Sequence, residues 1–303
     1  MTAVPLSVSA GGGLPHDEGL SKDEGLVDDE DVIARIDALR ARLASAGPVV
    51  VAFSGGVDSA LLAWVAHDTL GSERCVAVTA VSPSLAPSEL EDCRRLAAGW
   101  GLRWRAVQSD EMARPDYVVN GPDRCYHCKT ELMDRLAPVA EEHAAVIALG
   151  VNLDDLSDHR PGQKAARERG AVFPLVDAGF TKAAVRAAAR YLGLEVWDKP
   201  AAACLASRVP YGTPVTLKTL SGVAAAEEAL RRLGFAQLRV RHYGDLARIE
   251  LPLAELPAVL ELREEAVAAV KGAGYSYVTL DLEGFRSGNL NGAITSGVVG
   301  VRP

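Results

Sequence analysis

Six consecutive residues, Ser54-Gly55-Gly56-Val57-Asp58-Ser59, combine two glycines, one acid and two hydroxyls. Placed between a strand and a helix, adjacent glycines let backbone N–H groups converge on an anion at the helix N-terminus. No Gly-Lys-Ser or Gly-Lys-Thr follows, which excludes a Walker A loop, and the glycine spacing is not G-x-G-x-x-G. A second loop, Gly150-Val151-Asn152-Leu153-Asp154-Asp155, offers Gly150, Asn152 and Asp155 as candidate nucleotide contacts. The same residues would equally suit a solvated turn.

Two of the five cysteines stand in Arg124-Cys125-Tyr126-His127-Cys128-Lys129, just ahead of a helix expected over 129–143. Helix N–H groups at such a position lower a thiol pKa. Three readings of this motif compete. A thioredoxin-like redox pair lacks the βαβ start it needs. A structural zinc site needs four ligands, which Cys204 and His127 would complete. The third is an iron–sulfur cluster held by Cys125, Cys128 and Cys204. Cys75, in an apolar run, and Cys93, in an amphipathic one, read as small core residues.

Ser207 and Arg208 follow Cys204 closely, and Arg239 and Arg241 share one face of an expected strand. The planar fork of arginine suits phosphate and carboxylate oxygens, although such a pair also fits a half-exposed strand. Lys182 and Arg186, one helical turn apart, read as a solvated face.

The elements that must position these groups follow from periodicity. Val32, Ile33, Ile36, Leu39 and Leu43 recur at helical spacing from about residue 31. Val49-Val50-Val51-Ala52-Phe53 is a continuous apolar run of the buried parallel type, leading into the glycine loop. Helix is then expected over 60–70, 88–100, 129–143 and 181–192, the last capped by Thr181. Strands are expected at 75–80, 104–107, 146–149 and 173–175. Alternation of this kind implies an α/β fold with a doubly wound parallel sheet. After Pro214 the pattern changes to helix 218–233, strands near 237–240 and 247–251, helix 253–273 and strand 277–282. That is a smaller C-terminal α+β domain. The expected division is a disordered tail over 1–30, a nucleotide domain over 31–210 and a substrate or oligomerisation domain over 211–303. The tail is assigned from its Gly, Ser, Asp and Glu content without apolar periodicity.

Composition narrows the function. With 49% hydrophobic and 24% charged residues the chain of 303 is an ordinary globular protein. No stretch reaches the roughly 18 apolar residues of a membrane span, and the N-terminus has no export signal. An odd cysteine count fits a reducing cytoplasm. A net charge of −8 disfavours nucleic acid as partner and favours a small molecule.

The glycine hexapeptide in its strand-loop-helix setting resembles the PP-loop ATP pyrophosphatase superfamily, which cleaves ATP to AMP and pyrophosphate with Mg²⁺. More specifically, SGGVDS, RCYHCK, GVNLDD with DHRPG, CLASRVPYG, RVRHYGDLARIE and DLEGFRSGNLN resemble the LarE family of sulfur transferases over about 49–291. The resemblance implies adenylation of a carboxylate of pyridinium-3,5-biscarboxylic acid mononucleotide and its conversion to a thiocarboxylate for a nickel-pincer cofactor. Some members sacrifice one cysteine, matched by Cys204; others hold a [4Fe-4S] cluster on three, matched by Cys125, Cys128 and Cys204.

The three-cysteine match implies a cluster, catalytic turnover and an external sulfur donor. Lys129 is implied beside the departing pyrophosphate, and Ser207, Arg208, Glu227, Arg239 and Arg241 at the substrate. A homo-oligomer is expected on the same ground. Rival readings are a PP-loop amidating ligase without need of the cysteines, a tRNA thiolase with a basic surface, and a non-catalytic iron–sulfur or nucleotide sensor.

Overall fold

A computed structural model describes residues 28–156, 161–200 and 203–286. Residues 1–27 of the tail expected over 1–30, the Asp158-His159-Arg160 part of the DHRPG segment, Ala201 and Ala202, and everything after Arg286 lie outside the described residues, while Asp29 and Glu30, placed in that tail, instead open a helix.

Helix α1 (Asp29–Ala46) leads to β1 (Val49–Ala52), α2 (Val57–Leu70), β2 (Cys75–Val81), α3 (Pro87–Gly99) and β3 (Trp104–Gln108). A short α4 (Pro115–Val118) precedes α5 (Arg124–Glu142), β4 (Val146–Leu149), α6 (Pro161–Glu168), α7 (Pro174–Asp177) and α8 (Lys182–Tyr191). The four strands are all parallel, in the order β3-β2-β1-β4. Successive side chains of β1 point to opposite faces, so Val49 and Val51 join a core with α1, α2 and α8 while Val50 packs with Met133 and Leu136 of α5. Helices therefore cover both faces, as expected for a doubly wound sheet. The chain crosses from β1 to β2 on one side and later adds β4 on the other. The loops after β1 and β4 consequently meet at the switch point of the sheet's carboxyl edge, where ligands of open α/β sheets bind.

The second layer comprises α9 (Leu217–Arg232), β5 (Arg239–Tyr243), β6 (Leu246–Glu250), α10 (Leu256–Glu261), α11 (Arg263–Gly272) and β7 (Tyr277–Leu280). Its sheet, ordered β5-β6-β7, is mixed: β5 and β6 are antiparallel, β6 and β7 parallel. Leu230, Val240, Ile249 and Val270 are among its core. Between the layers, Tyr117, Leu205, Ala206, Val215, Leu220 and Val223 form a small apolar cluster.

Several expectations are corrected. Residues 173–175 are not a strand. Val172 alone makes a parallel bridge, to Ala148, and Pro174 then opens α7, because proline has no N–H for a ladder yet fits a helix's first turn. The expected helix 253–273 is a 3₁₀ turn, Leu253–Glu255, followed by α10 and α11, which Leu262 (φ −94°, ψ 24°) separates. The strand near 237–240 begins at Arg239. Helix α5 begins at Arg124, not Lys129, so the cysteine motif is its first turn rather than its approach. Thr181 does cap α8, accepting from the Ala184 N–H. Among the described residues no helix is long and apolar enough to cross a membrane.

Candidate active site

The chain leaves β1 at Phe53, whose N–H donates to Val78 O at 2.8 Å. Its carbonyl accepts the buried Thr79 hydroxyl at 2.7 Å, which in turn accepts Trp104 Nε1–H at 2.9 Å. Gly55 then adopts φ +71°, and a Cβ there would stand 3.0 Å from Cys93 Sγ. Conformation and space both demand glycine at this position. Gly56 caps α2 without any side-chain hydrogen bond, so the N–H groups of Val57, Asp58 and Ser59 are left for an anion. Ser59 Oγ accepts Ser54 N–H at 3.2 Å, donates to Gly56 O at 3.0 Å and lies 3.1 Å from Ser54 Oγ. The loop is braced from within.

The second loop meets it directly. A Cβ on Gly150 would fall 2.7 Å from Ser59 N and 2.9 Å from Asp58 C. Buried Asn152 donates from Nδ2 to Asp58 Oδ1 at 2.8 Å, and its Oδ1 accepts the N–H groups of Asp154 and Asp155. Asp155 Oδ2 accepts Asn152 N–H at 3.2 Å. The structure thus brings Ser54, Gly55, Gly56, Val57, Asp58, Ser59, Gly150, Asn152 and Asp155 together at the carboxyl edge of the sheet.

It adds a residue that sequence reasoning assigned to solvent. Lys182 Nζ donates to Asp58 Oδ2 at 2.5 Å, while its N–H donates to Asp154 Oδ2 at 2.7 Å. Lys182 is therefore the ammonium facing the phosphate loop. Replacing Lys182 by Ala is expected to lower ATP-dependent pyrophosphate release about tenfold or more, with Lys182→Arg closer to the parent. Unchanged kcat and KM for ATP in the Ala variant would remove it from the site. Arg186, also read as solvated, instead donates to Trp197 O at 2.8 Å and Lys199 O at 3.1 Å. Lys199 pairs with Glu89 and Asp92 at 2.8 Å each. Together they anchor the segment leading to Cys204.

Cys125 is exposed and Cys128 half-buried on the first turn of α5, whereas Cys204 is exposed before the 3₁₀ turn Leu205–Arg208. That turn docks on the sheet's carboxyl edge, since Leu205 N–H donates to Ser84 O in the loop leaving β2. Cys128 packs against the cluster containing Leu205 and Ala206. Burial pushes the Cys128 thiol up to about 12, with Lys129 opposing and Cys204, Glu111 and Cys125 adding to the rise. The expected lowering of thiol pKa at a helix start is thereby reversed for Cys128, because desolvation outweighs the helix field. Among the described residues no group of three or more His, Cys, Asp or Glu is arranged to hold a metal ion. Cys128 has Cys125 on the same helical turn and packs against the turn that follows Cys204, without the three thiols being drawn together as a ligand set. His127 Nε2 lies 3.1 Å from Asp123 Oδ2. The stem of Lys129 packs on Gly162 of α6, where a Cβ would meet its Cγ at 2.7 Å.

The arginines form a third group. Buried Arg208 pairs with buried Glu227, Nε to Oε1 at 2.8 Å and Nη2 to Oε2 at 3.1 Å. Its Nη1 reaches Ala203 O at 2.5 Å and Ser207 Oγ at 3.1 Å. Arg241 donates to Glu250 Oε2 and to Ser207 O, both at 2.8 Å. Arg239 differs: its guanidinium lies 4.7 Å from the Phe285 ring centroid and forms no ion pair among the described residues. Burial first, and then Arg208 and Arg241, pull its pKa down to about 10. Both oxygens of Glu227 are already engaged, by Arg208, by Arg231 at 3.1 Å and by Val240 N–H at 3.1 Å. Glu227 orders the arginines rather than presenting a free carboxylate.

Residues 32–115 match the NAD synthase family, a stretch that holds the first phosphate loop but neither the second loop nor the cysteine motif. An NH(3)-dependent NAD(+) synthetase of Archaeoglobus fulgidus is 34% identical over 87 residues, 27% of this chain and 35% of that one. Other relatives extend across both layers. An uncharacterized protein of Synechocystis sp. is 46% identical over 265 residues, covering 86% of this chain and 98% of its own. The pyridinium-3,5-bisthiocarboxylic acid mononucleotide synthase of Lactiplantibacillus plantarum is 40% identical over 248 residues, 82% of this chain and 90% of that enzyme. The chain belongs to the LarE family. As a LarE-family member it is an ATP-using enzyme, a sulfurtransferase. The partial NAD synthase match reflects the phosphate-loop sheet that the two groups share.

Proposed function

We propose that this LarE-family enzyme adenylates a carboxylate of pyridinium-3,5-biscarboxylic acid mononucleotide and converts it to a thiocarboxylate for a nickel-pincer cofactor. The supporting observation is the docking of the Cys204 turn on the loop leaving β2, at the edge that carries Ser54 to Ser59. In the first step a substrate carboxylate oxygen attacks the α-phosphorus, the α–β phosphoanhydride bond breaks and pyrophosphate leaves. The N–H groups of residues 57–59 and Lys182 stabilise the charge that grows on it. Lys129, on the same turn as the cysteines, adds positive charge nearby. Mg²⁺ supplies further neutralisation when bound. Arg239, a buried cation beside Arg208 and Arg241, takes the substrate phosphate. Ser207 and Glu227 hold these arginines in place.

In the second step sulfur attacks the acyl carbon and AMP departs. Cys125, Cys128 and Cys204 are the residues that would hold a [4Fe-4S] cluster, whose chemistry is to carry the transferable sulfide. A second reading rests on the exposure of Cys204. In it, Cys204 Sγ attacks and forms a thioester; loss of the Cys204 α-proton and cleavage of its Cβ–S bond then leave dehydroalanine. Anaerobic purification with iron and sulfide analysis, an absorption spectrum, and intact mass after turnover separate the two. The cluster reading expects about four irons per chain and an unchanged mass. Absence of iron together with loss of one sulfur from Cys204 would establish the sacrificial route instead. Pyrophosphate release that depends on the pyridinium substrate is expected in either case, and its absence would sink both.

A further inference from the structure

Glu111 lies in the 3₁₀ turn Glu111–Ala113 that follows β3, and it is only 3% exposed. A buried carboxylate ordinarily stands beside a cation, yet among the described residues no Lys, Arg or His pairs with this one. Its partners are two hydroxyls from separate loops. Ser82 Oγ, just after β2, donates to Oε1 at 2.5 Å, and Ser109 Oγ, just after β3, donates to Oε2 at 3.0 Å. The steps derived above for ATP and substrate make no use of this group.

Both ends of this clasp lead toward cysteines. On one side, Ser82 Oγ also accepts the Ser84 N–H at 3.2 Å, and Ser84 O accepts the N–H of Leu205, the residue after Cys204, at 2.9 Å. The buried Ser84 hydroxyl lies 2.5 Å from the Tyr117 hydroxyl, and Tyr117 packs in one cluster with Leu205 and Ala206. On the other side, the turn bearing Glu111 is fastened to α5, where Glu131 accepts the Asp110 N–H at 3.2 Å and the Arg114 Nε–H at 2.8 Å. Helix α5 carries Cys125 and Cys128 on its first turn, and Arg124 beside them donates from Nη1 to Ala206 O at 2.8 Å. A run of hydrogen bonds through neighbouring residues therefore joins the helix of two cysteines to the turn of the third. Glu111 is its central link.

We propose that Glu111 is a positioning residue for sulfur transfer: by holding the loops after β2 and β3 together, it fixes where the Cys204 turn stands. The inference rests on the reading that sulfur is delivered from a site containing Cys204. A carboxylate suits the task because each of its oxygens takes one hydroxyl. Removing it leaves both hydroxyls without their acceptor and shifts local opening roughly tenfold or more. The phosphate loop is braced separately, by Ser59 and by the bond from Thr79 to Phe53 O. Breaking the clasp therefore separates adenylation, which survives, from sulfur transfer, which does not.

Glu111→Ala and Glu111→Gln in the full-length chain distinguish this role from general stability. The first measurement needs no turnover. Amide hydrogen exchange at Leu205 is expected to run at least about tenfold faster in Glu111→Ala, with Val50 and Val51 of β1 protected as in the parent. In Glu111→Gln, whose side-chain amide meets both hydroxyls, exchange is expected within about threefold of the parent. The second measurement is the product ratio after mixing with ATP and the pyridinium substrate. Glu111→Ala is expected to release pyrophosphate within about threefold of the parental rate, yet to yield at least about tenfold less thiocarboxylate per pyrophosphate. The acyl adenylate is then left to water, which returns the carboxylate and AMP. Should Glu111→Ala not fold, Ser82→Ala, which removes one hydroxyl from the same clasp, is expected to move both readouts in the same direction. Parental exchange at Leu205, equal acceleration in β1, or a parental product ratio in the folded variant would overturn the positioning role. A parent that makes no thiocarboxylate, or a Cys204→Ser chain that makes it as the parent does, would instead refute the reading on which the role rests.

Discussion

Substituting Gly150 by alanine is expected to lower ATP-dependent pyrophosphate release by about two orders of magnitude while leaving the far-ultraviolet circular dichroism unchanged. The added Cβ would stand 2.7 Å from Ser59 N, 2.8 Å from Ser59 Cα and 2.9 Å from Asp58 C. All three are backbone atoms of the phosphate loop and the first turn of α2, so no side chain can swing aside to make room. Restoring ordinary contact needs a displacement of several tenths of an ångström to an ångström between the ends of β1 and β4. Misplacement of that order in a positioned reacting group costs roughly 100-fold. The sheet itself is untouched, since Ala52 pairs with Leu149 before the loops begin. A Gly150→Ala enzyme that releases pyrophosphate at the parental rate would show that the two loops do not form one nucleotide cleft.

Replacing Glu227 by alanine should destabilise the protein by about 3–5 kcal/mol, the usual cost of removing one partner from a buried ion pair. Arg208 and Glu227 have side chains only 6% and 1% exposed. Loss of the carboxylate strands a buried guanidinium and also frees the Val240 N–H and the Arg231 guanidinium. For a chain of this size each kcal/mol moves Tm by roughly 2–4 °C, so the thermal midpoint should fall by about 10 °C. Pairing Glu227→Leu with Arg208→Met should recover part of that loss, because an apolar pair no longer strands a charge. A Tm within a degree of the parent for Glu227→Ala would refute the role given to this pair. The same variant is expected to loosen Arg241 indirectly, through Ser207, to which both Arg208 and Arg241 bond.

Much of the site was legible before folding because its signals are local. The glycine loop sits between an apolar run and a helical one, and that succession alone predicts a strand, a turn and an anion-binding helix start. Continuous apolar runs and the period-3.6 pattern likewise placed most elements of the parallel sheet. Where local patterns conflicted with tertiary demands they misled. Phe173-Pro174-Leu175 has strand-like residues, but the missing proline N–H converts it to a helix start. Leu262 interrupts what reads as one continuous helix. The cysteine motif belongs to the first turn of α5, and the packing around it raises the Cys128 thiol that helix-terminus reasoning would lower.

The residues that sequence reasoning missed share one property: their partners are far away in the chain. Lys182 meets Asp58 across 124 positions, and Arg124 meets Ala206 across 82. A lysine one turn from an arginine on an amphipathic helix carries no mark of what that face will meet. The signal for Lys182 was its place just after Thr181, at the start of a helix that follows the second loop.

The sequence by itself determined the chemistry available: a loop able to grip pyrophosphate, three cysteines, and arginines suited to an anionic substrate. Backbone N–H geometry at glycines and the reactivity of thiols are properties of residues and their immediate neighbours. Tertiary structure alone decided which of these groups meet. Strand order β3-β2-β1-β4 brings Gly150 against Ser59, and the packing of the 3₁₀ turn onto α5 brings Arg124 Nη1 to Ala206 O. Glu227 and Glu250 pair with Arg208 and Arg241 but leave buried Arg239 without an ion pair among the described residues. Such pairings depend on distances between segments remote in the chain, and burial then turns those distances into energies that no local pattern encodes.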